Sequence, residues 1–187
     1  MTEEKAIDQK PLWVFGYASL MWNPGFPVVE TVLATLNGFH RSFCMSSIHH
    51  RGTVDHPGLV LALDPAEAGQ CTGLALRVTE GEEAATVAYL RERELISSAY
   101  VERLLPLTLA TGEVVEALAY VVDTAHEQYV AHLTLEEQAQ IIAEAVGGRG
   151  PNTEYLWNTT AHLAELGIDD PDLRWLSERV RRLIDRG

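Results

Sequence analysis

Between Leu12 and Trp22 the chain reads Leu-Trp-Val-Phe-Gly-Tyr-Ala-Ser-Leu-Met-Trp, an apolar, aromatic run that stops abruptly. Leu12 to Phe15 has the length and composition of a buried strand, and Gly16 interrupts it where the alternation should continue. The strand therefore ends inside apolar surroundings. Small residues at 16, 18 and 19 let a ligand approach the backbone of Tyr17-Ala18-Ser19-Leu20 closely, where peptide N–H groups can cradle an anion. The same residues also fit a strand with a glycine bulge whose aromatics fill a core, and both readings stand at this point.

The remaining pattern is that of one α+β domain. Residues 1–10 are charged and without period, and a mobile tail is expected there, with a single domain over 11–187. Asn23-Pro24-Gly25-Phe26-Pro27 is turn chemistry. Extended segments are predicted at Thr31 to Leu36, Gly38 to Met45, Leu59 to Leu63, Cys71 to Val78, Val101 to Leu109 and Val114 to Val122. In the second of these, Arg41 and Phe43 should share one face, with His40 and Ser42 on the other. Helices are predicted from near Gly81 to Ile96, opened by a Thr79/Glu82 capping box, and from Thr134 to a stop at Gly147, opened by Thr134/Glu137. A third helix is predicted over Thr153 to Leu166 with Asn152 as its cap, and a fourth from Asp170-Pro171 with an arginine-rich solvated face.

Charge and cysteine usage exclude several functions. With 14 basic and 27 acidic residues the formal charge is −13, which disfavours nucleic acid and anionic membrane surfaces by repulsion. No apolar segment approaches the ~20 residues of a membrane-spanning helix. Cys44 and Cys71 have no metal-like spacing, and a reducing, cytoplasmic setting is expected. His49, His50 and His56 crowd the turn-rich stretch 46–58, but no helix aims two imidazoles at one point and no thiol or carboxylate pair completes a set, so no metal is expected. An anionic small substrate would need a local positive or amide-rich pocket, which draws attention to Arg41, Arg51, Arg77 and Arg93.

On the first helix Val87, Leu90 and Glu94 fall at i, i+3 and i+7, so a carboxylate ends the apolar stripe. Helical position alone also allows a stripe-edge residue turned outward or paired with an arginine.

The motif FGYASLMW is similar to the FGYGSLxW signature that opens the ChaC-type γ-glutamylcyclotransferases. Further segments resemble the same family in the same order, across roughly residues 13 to 176. They are HRG followed by a Pro-Gly turn, YLRERELISSAY over Tyr89 to Tyr100, EALAYVVD and GPNTEYLW. The resemblance implies a small mixed β-barrel with flanking helices and an intramolecular reaction. In it the α-amine of a γ-glutamyl group attacks its own γ-amide, releasing 5-oxoproline; from glutathione the other product is cysteinylglycine. It implies Glu94 as the catalytic acid/base, Tyr17, Ala18, Ser19 and Leu20 as the substrate cradle, Arg51 near the pocket mouth with His50 and Gly52, and Tyr100 beside the substrate. Neither metal nor organic cofactor is implied, and the partner is a small γ-glutamyl compound. Other γ-glutamyl amino acids or amines, or binding without turnover, are the competing expectations. Two departures from the family pattern matter. Ala18 stands where glycine is usual, so either its φ is negative or a Cβ costs roughly 1–2 kcal/mol there. The loop glutamate of some members aligns with Ala85, leaving Glu82 and Glu83 nearby.

Overall fold

The structure, a computed structural model, describes residues 10–187; apart from Lys10, the expected tail lies outside the described residues. The chain opens with strand β1, Trp13–Gly16, whose four residues are all buried, followed by one 3-10 turn at Ser19–Met21. Two very long strands come next, β2 at Val28–Ser47 and β3 at Gly58–Val78, and they form an antiparallel hairpin. Helix α1, Glu83–Glu94, leads into β4, Tyr100–Leu109, and β5, Val114–Val122. The order β1-β3-β2-β4-β5 closes into a barrel because β1 pairs antiparallel with β3 and parallel with β5. This is the small mixed barrel of an α+β fold. Closure leaves β1 no free edge, which is why so apolar a segment can be a strand.

Four predicted extended segments are in fact two continuous strands. The register runs from Asn37 opposite Gln70 directly to Phe39 opposite Pro65, so Ala66 to Gly69 bulge out of β3 without ending it. Turn-forming residues there mark a bend in a strand, not a loop between strands. Arg41 and Phe43 are buried while His40 and Ser42 are half-buried, the face alternation read from the sequence.

The helical ends were less legible. Thr79 does not cap α1: its carbonyl accepts from the Glu82 amide in a tight turn, and the helix begins at Glu83 with no side-chain cap. It ends at Glu94, short of Ile96. Helix α2, Leu135–Glu144, has the expected Thr134/Glu137 capping box, but it stops where Ala145 turns extended, and Gly147 belongs to strand β6, Val146–Gly147. That strand pairs with β7, Gly150–Pro151, before α3, Asn152–Glu165, and α4, Pro171–Asp185. Asn152 is not the cap of α3. Its side chain is fully buried and mimics a strand, with Oδ1 accepting from the Leu59 amide at 2.7 Å and Nδ2 donating to the Leu59 carbonyl at 2.8 Å. The start of α3 is thereby fastened to β3. The arginines of α4 are only partly a solvated face, since Arg174 pairs with Asp169 and Arg179 with Glu136 on α2.

One buried cation joins these layers. Arg41 on β2 is 3 % exposed; its Nε donates to the Tyr17 carbonyl at 2.8 Å, another nitrogen to the Thr72 carbonyl, and a third to Asp170 Oδ2 at 3.0 Å. Asp170 uses its other oxygen to accept from the Leu173 amide as the N-cap of α4. Breaking a buried pair strands an uncompensated charge, at a cost of about 3–5 kcal/mol. Arg41→Met is expected to lower the unfolding free energy by about that amount in urea titration, and Asp170→Asn, which keeps the cap acceptor but removes the charge, by a large fraction of it.

Candidate active site

Where β1 ends, the chain doubles back so tightly that a Cβ on Gly16 would lie 3.2 Å from the Met21 amide nitrogen, so only glycine fits without displacement. Ala18 takes φ −144°, outside the left-handed region, so its Cβ does not meet the positive-φ cost considered for this position. In the 3-10 turn the first internal bond runs from the Met21 amide to the Ala18 carbonyl at 2.9 Å. The amides of Ala18, Ser19 and Leu20 precede that bond and have no acceptor within the turn. At the far end of the motif Trp22 stacks flat on His162 of α3, ring centroids 4.3 Å apart, and this holds the turn against the helical layer.

Helix α1 brings Glu94 over this turn. Leu90 on the same stripe is fully buried and anchors the helix, so the last turn carries Glu94 inward with only 19 % of its side chain exposed. A small chamber of about 80 Å³ is lined by Glu94 with Tyr17, Ala18, Ser19, Leu20 and the phenols of Tyr100, Tyr120 and Tyr155. Its volume is that of two or three waters, each ~30 Å³, or of one charged head group. The sequence-predicted residues Glu94, Tyr17, Ala18, Ser19, Leu20 and Tyr100 thus meet around one space. Ser19, Glu94 and Tyr100 also line an outer cleft of about 930 Å³, so these three stand at the junction of the two spaces.

Arg51 is not brought to the chamber. Its guanidinium lines neither space, donates to the Pro151 carbonyl at 3.1 Å, lies 3.7 Å from Glu154 and sits 5.8 Å from the centre of the Tyr155 ring. His50 does reach the outer cleft. Neither Glu82 nor Glu83 lines either space, and Glu83 instead accepts from the Gly81 amide. Among the described residues no cluster of histidine, cysteine and carboxylate is arranged to hold a metal.

Three residues matter more here than the sequence suggested. Arg93, one of the four arginines singled out for an anionic substrate, clamps α1 to the turn: it donates to Ser19 Oγ at 3.1 Å and to the Asn23 carbonyl at 2.8 Å, and lies 3.4 Å from Glu94. Arg41 holds the Tyr17 carbonyl from behind. Tyr155 differs from Tyr100 in its proton. Tyr100 donates to the Leu61 carbonyl at 3.2 Å and so presents lone pairs, whereas Tyr155 accepts from the Leu61 amide at 3.2 Å and keeps its O–H to offer. The signal for Tyr155 was the GPNTEYLW segment, but its inward aim depends on how α3 docks.

Burial pushes the Glu94 carboxyl above its ordinary 4.5, with the Arg93 charge opposing. Burial also raises Tyr17 and Tyr100 well above the ordinary tyrosine range and Tyr155 to about 12, so all three stay protonated near neutrality. The Cys44 and Cys71 thiols are raised by burial to about 12 and 11, which rules them out as nucleophiles. Glu94 is therefore the group at this site best placed to take and return a proton.

The closed five-stranded barrel with its four helices is the γ-glutamylcyclotransferase-like fold. The fold matches the crystal structure of a γ-glutamylcyclotransferase specific to glutathione from yeast with a TM-score of 0.80, at 24 % identity, over 94 % of this chain and all of that one. The sequence matches the ChaC-like protein family across residues 12–183, and the chain belongs to that family of γ-glutamylcyclotransferase enzymes. It is 37 % identical over 177 residues to the glutathione-specific γ-glutamylcyclotransferase of Escherichia coli K12, covering 95 % of this chain and 76 % of that protein. It is 32 % identical to γ-glutamylcyclotransferase 2-3 of Arabidopsis thaliana, covering 92 % of this chain and 90 % of that protein.

The raised Glu94 pKa has a consequence for stability. The folded chain holds this proton more tightly than the unfolded chain, so the contribution of the neutral form is complete below the unfolded value, about 4.5, and is lost as pH rises through the folded value. Glu94→Gln removes that loss. The variant is expected to melt at a higher temperature than the parent near pH 7 and to lose this advantage near pH 4; a difference independent of pH in calorimetry would show that the carboxylate is not held away from water.

Proposed function

We propose that this enzyme cleaves glutathione to 5-oxoproline and cysteinylglycine, with Glu94 as the general acid/base. The observation that carries the reading is the place of Glu94, a part-buried carboxylate of raised pKa at the junction between a head-group-sized chamber and a wide cleft. The relatives named as glutathione-specific supply the choice of substrate. Such an enzyme suits a reducing cytoplasm, where glutathione is held, and 11–187 act as one domain.

The reaction sets three requirements. The α-amine is an ammonium at neutral pH and cannot attack until a base removes a proton, and the departing amide nitrogen must gain one. In the proposed sequence Glu94 takes the ammonium proton, the freed nitrogen attacks the γ-carbonyl carbon to close a five-membered ring, the protonated carboxyl donates to the leaving nitrogen as the amide C–N bond breaks, and the ring nitrogen then gives up its second proton by way of the re-ionised Glu94 to the departing amine, which leaves as an ammonium. A raised pKa helps both halves, making a stronger base and an acid still available near neutrality.

The second requirement is a folded glutamyl chain. A small chamber walled by tyrosines favours the curled conformer, and holding such a near-attack geometry contributes on the order of 7–11 kcal/mol in favourable cases. The third is charge stabilisation. The free amides of Ala18, Ser19 and Leu20, at the turn that begins with Tyr17, grip the substrate α-carboxylate or the developing oxyanion, and the Tyr155 O–H adds a donor fixed before reaction. Tyr100, whose proton is committed to Leu61, offers lone pairs to the substrate ammonium. Arg51 acts through Tyr155, over whose ring it lies. The breadth of the outer cleft favours a second reading, the same cyclisation on other γ-glutamyl amino acids or amines.

Incubation with glutathione is expected to yield 5-oxoproline by mass spectrometry. Glu94→Gln should lower kcat by about 10²–10⁴-fold with the fold intact by circular dichroism. The kcat/KM of the parent should fall as pH drops through a value above the 4.5 of an ordinary glutamate, because the base must be ionised. Parental turnover by Glu94→Gln would end the assignment, and binding of glutathione without product would point to a non-catalytic binder.

A further inference from the structure

Arg149 is flanked by glycines at 148 and 150, and the reaction just described does not use it. The structure places it at the tip of the β6–β7 hairpin, which lies across the 49–52 segment. Two backbone bonds fix the hairpin there, from the Gly148 amide to the His49 carbonyl at 2.7 Å and from the Arg149 amide to the His50 carbonyl at 2.9 Å. The approach is so close that a Cβ on Gly147 would come within 2.4 Å of the Gly52 nitrogen and 2.5 Å of the Arg51 nitrogen. Only glycine permits that contact. His49, His50 and Arg149 consequently line one part of the outer cleft together.

The charges around that cleft make Arg149 distinct. Arg93, its other guanidinium, is already committed to Ser19, Asn23, Pro24 and Tyr89 and lies beside Glu94. Arg149 pairs with no carboxylate among the described residues; Arg103, Arg181, Arg182 and Arg186 share that property, but they lie outside the cleft. The acidic residues of the cleft besides Glu94, Glu92 and Glu127, form no ion pair with it or with the histidines. Burial first, then the Arg149, His49 and Arg51 charges, lowers the His50 pKa, so this imidazole is a neutral hydrogen-bonding neighbour near pH 7. An unpaired guanidinium flanked by two imidazoles, in a chain of net charge −13, is a local site for an anion.

We propose that Arg149, assisted by His49 and His50, binds a carboxylate at the far end of the leaving amine. The enzyme thereby selects γ-glutamyl compounds whose amine portion ends in a carboxylate over those that end in a neutral group. This rests on the cyclotransferase reading and assigns the outer cleft its part in it. The cleft, about 930 Å³, has ample room for a dipeptide leading away from Glu94.

The test compares glutathione with its glycine ethyl ester, which is neutral at that end, on the parent enzyme, Arg149→Met and Arg149→Lys. For the parent the ratio of kcat/KM, acid over ester, is expected to be about two- to five-fold, the range of a solvent-exposed charge-assisted contact, and to lie in KM. Arg149→Met should bring the ratio to about one, and Arg149→Lys should retain part of it. A parent with no preference, or a ratio unchanged in Arg149→Met, overturns the subsite, and equal losses on both substrates assign Arg149 a structural role instead. Release of 5-oxoproline from either compound reports the reaction independently of the ratio. If neither compound yields it, the cyclotransferase reading falls, and the same ratio measured as calorimetric affinities decides the subsite alone.

Discussion

The Arg41 guanidinium is the tie on which the arrangement depends. It is buried, yet each of its bonded nitrogens meets an acceptor from a different part of the chain: the Tyr17 carbonyl at the cradle, the Thr72 carbonyl on β3 and the Asp170 carboxylate at the start of α4. A buried charge is tolerated only when so fully satisfied, and the satisfaction fixes relative positions. Here it sets the turn after β1 against the barrel wall and the last helix at once. The cradle presents its amides inward because its carbonyl side is held from behind.

A second constraint works from the opposite side. Arg93 sews the last turn of α1 to Ser19 and Asn23, while Leu90 sinks one turn earlier. Glu94 follows in sequence and has little freedom to swing away. The site is therefore squeezed between two arginines with different duties, one under the cradle and one bridging the cradle to the helix that carries the acid. Tyrosines complete the walls. The Tyr100 proton is committed to the Leu61 carbonyl, whereas Tyr155 accepts from the Leu61 amide and keeps its proton free. Polarity in the chamber is thus a consequence of strand geometry in β3.

In the proposed reaction the two spaces divide the labour that a γ-glutamyl substrate demands. A narrow chamber suits the invariant glutamyl head, and a broad cleft suits the variable amine. The residues common to both, Ser19, Glu94 and Tyr100, surround the place where the scissile bond would lie in the proposed reaction. On that proposal recognition and chemistry meet at one carboxylate, because proton transfer has to occur at the boundary of the two halves.

The sequence by itself determined the strand that ends in Gly16, the carboxylate closing the α1 stripe, the Thr134 capping box and the family motifs, since each depends on neighbours within a few residues along the chain. It misled where a local pattern has two tertiary outcomes. Asp64-Pro65 and Ala68-Gly69 can end a strand or bulge it, and pairing of Asn37 with Gln70 and then Phe39 with Pro65 decided for the bulge. Asn152 has the chemistry of a cap, but Leu59 was within reach and took both ends of its amide. Composition singled out Arg51 and Arg93 alike, and the family motifs favoured Arg51; docking of the β6–β7 hairpin and α3 drew Arg51 towards Pro151 and Tyr155, while the approach of α1 to the turn after β1 drew Arg93 beside Ser19 and Glu94. Partners distant in sequence are chosen by which surfaces the closed barrel brings together, and no spacing along the chain encodes that choice.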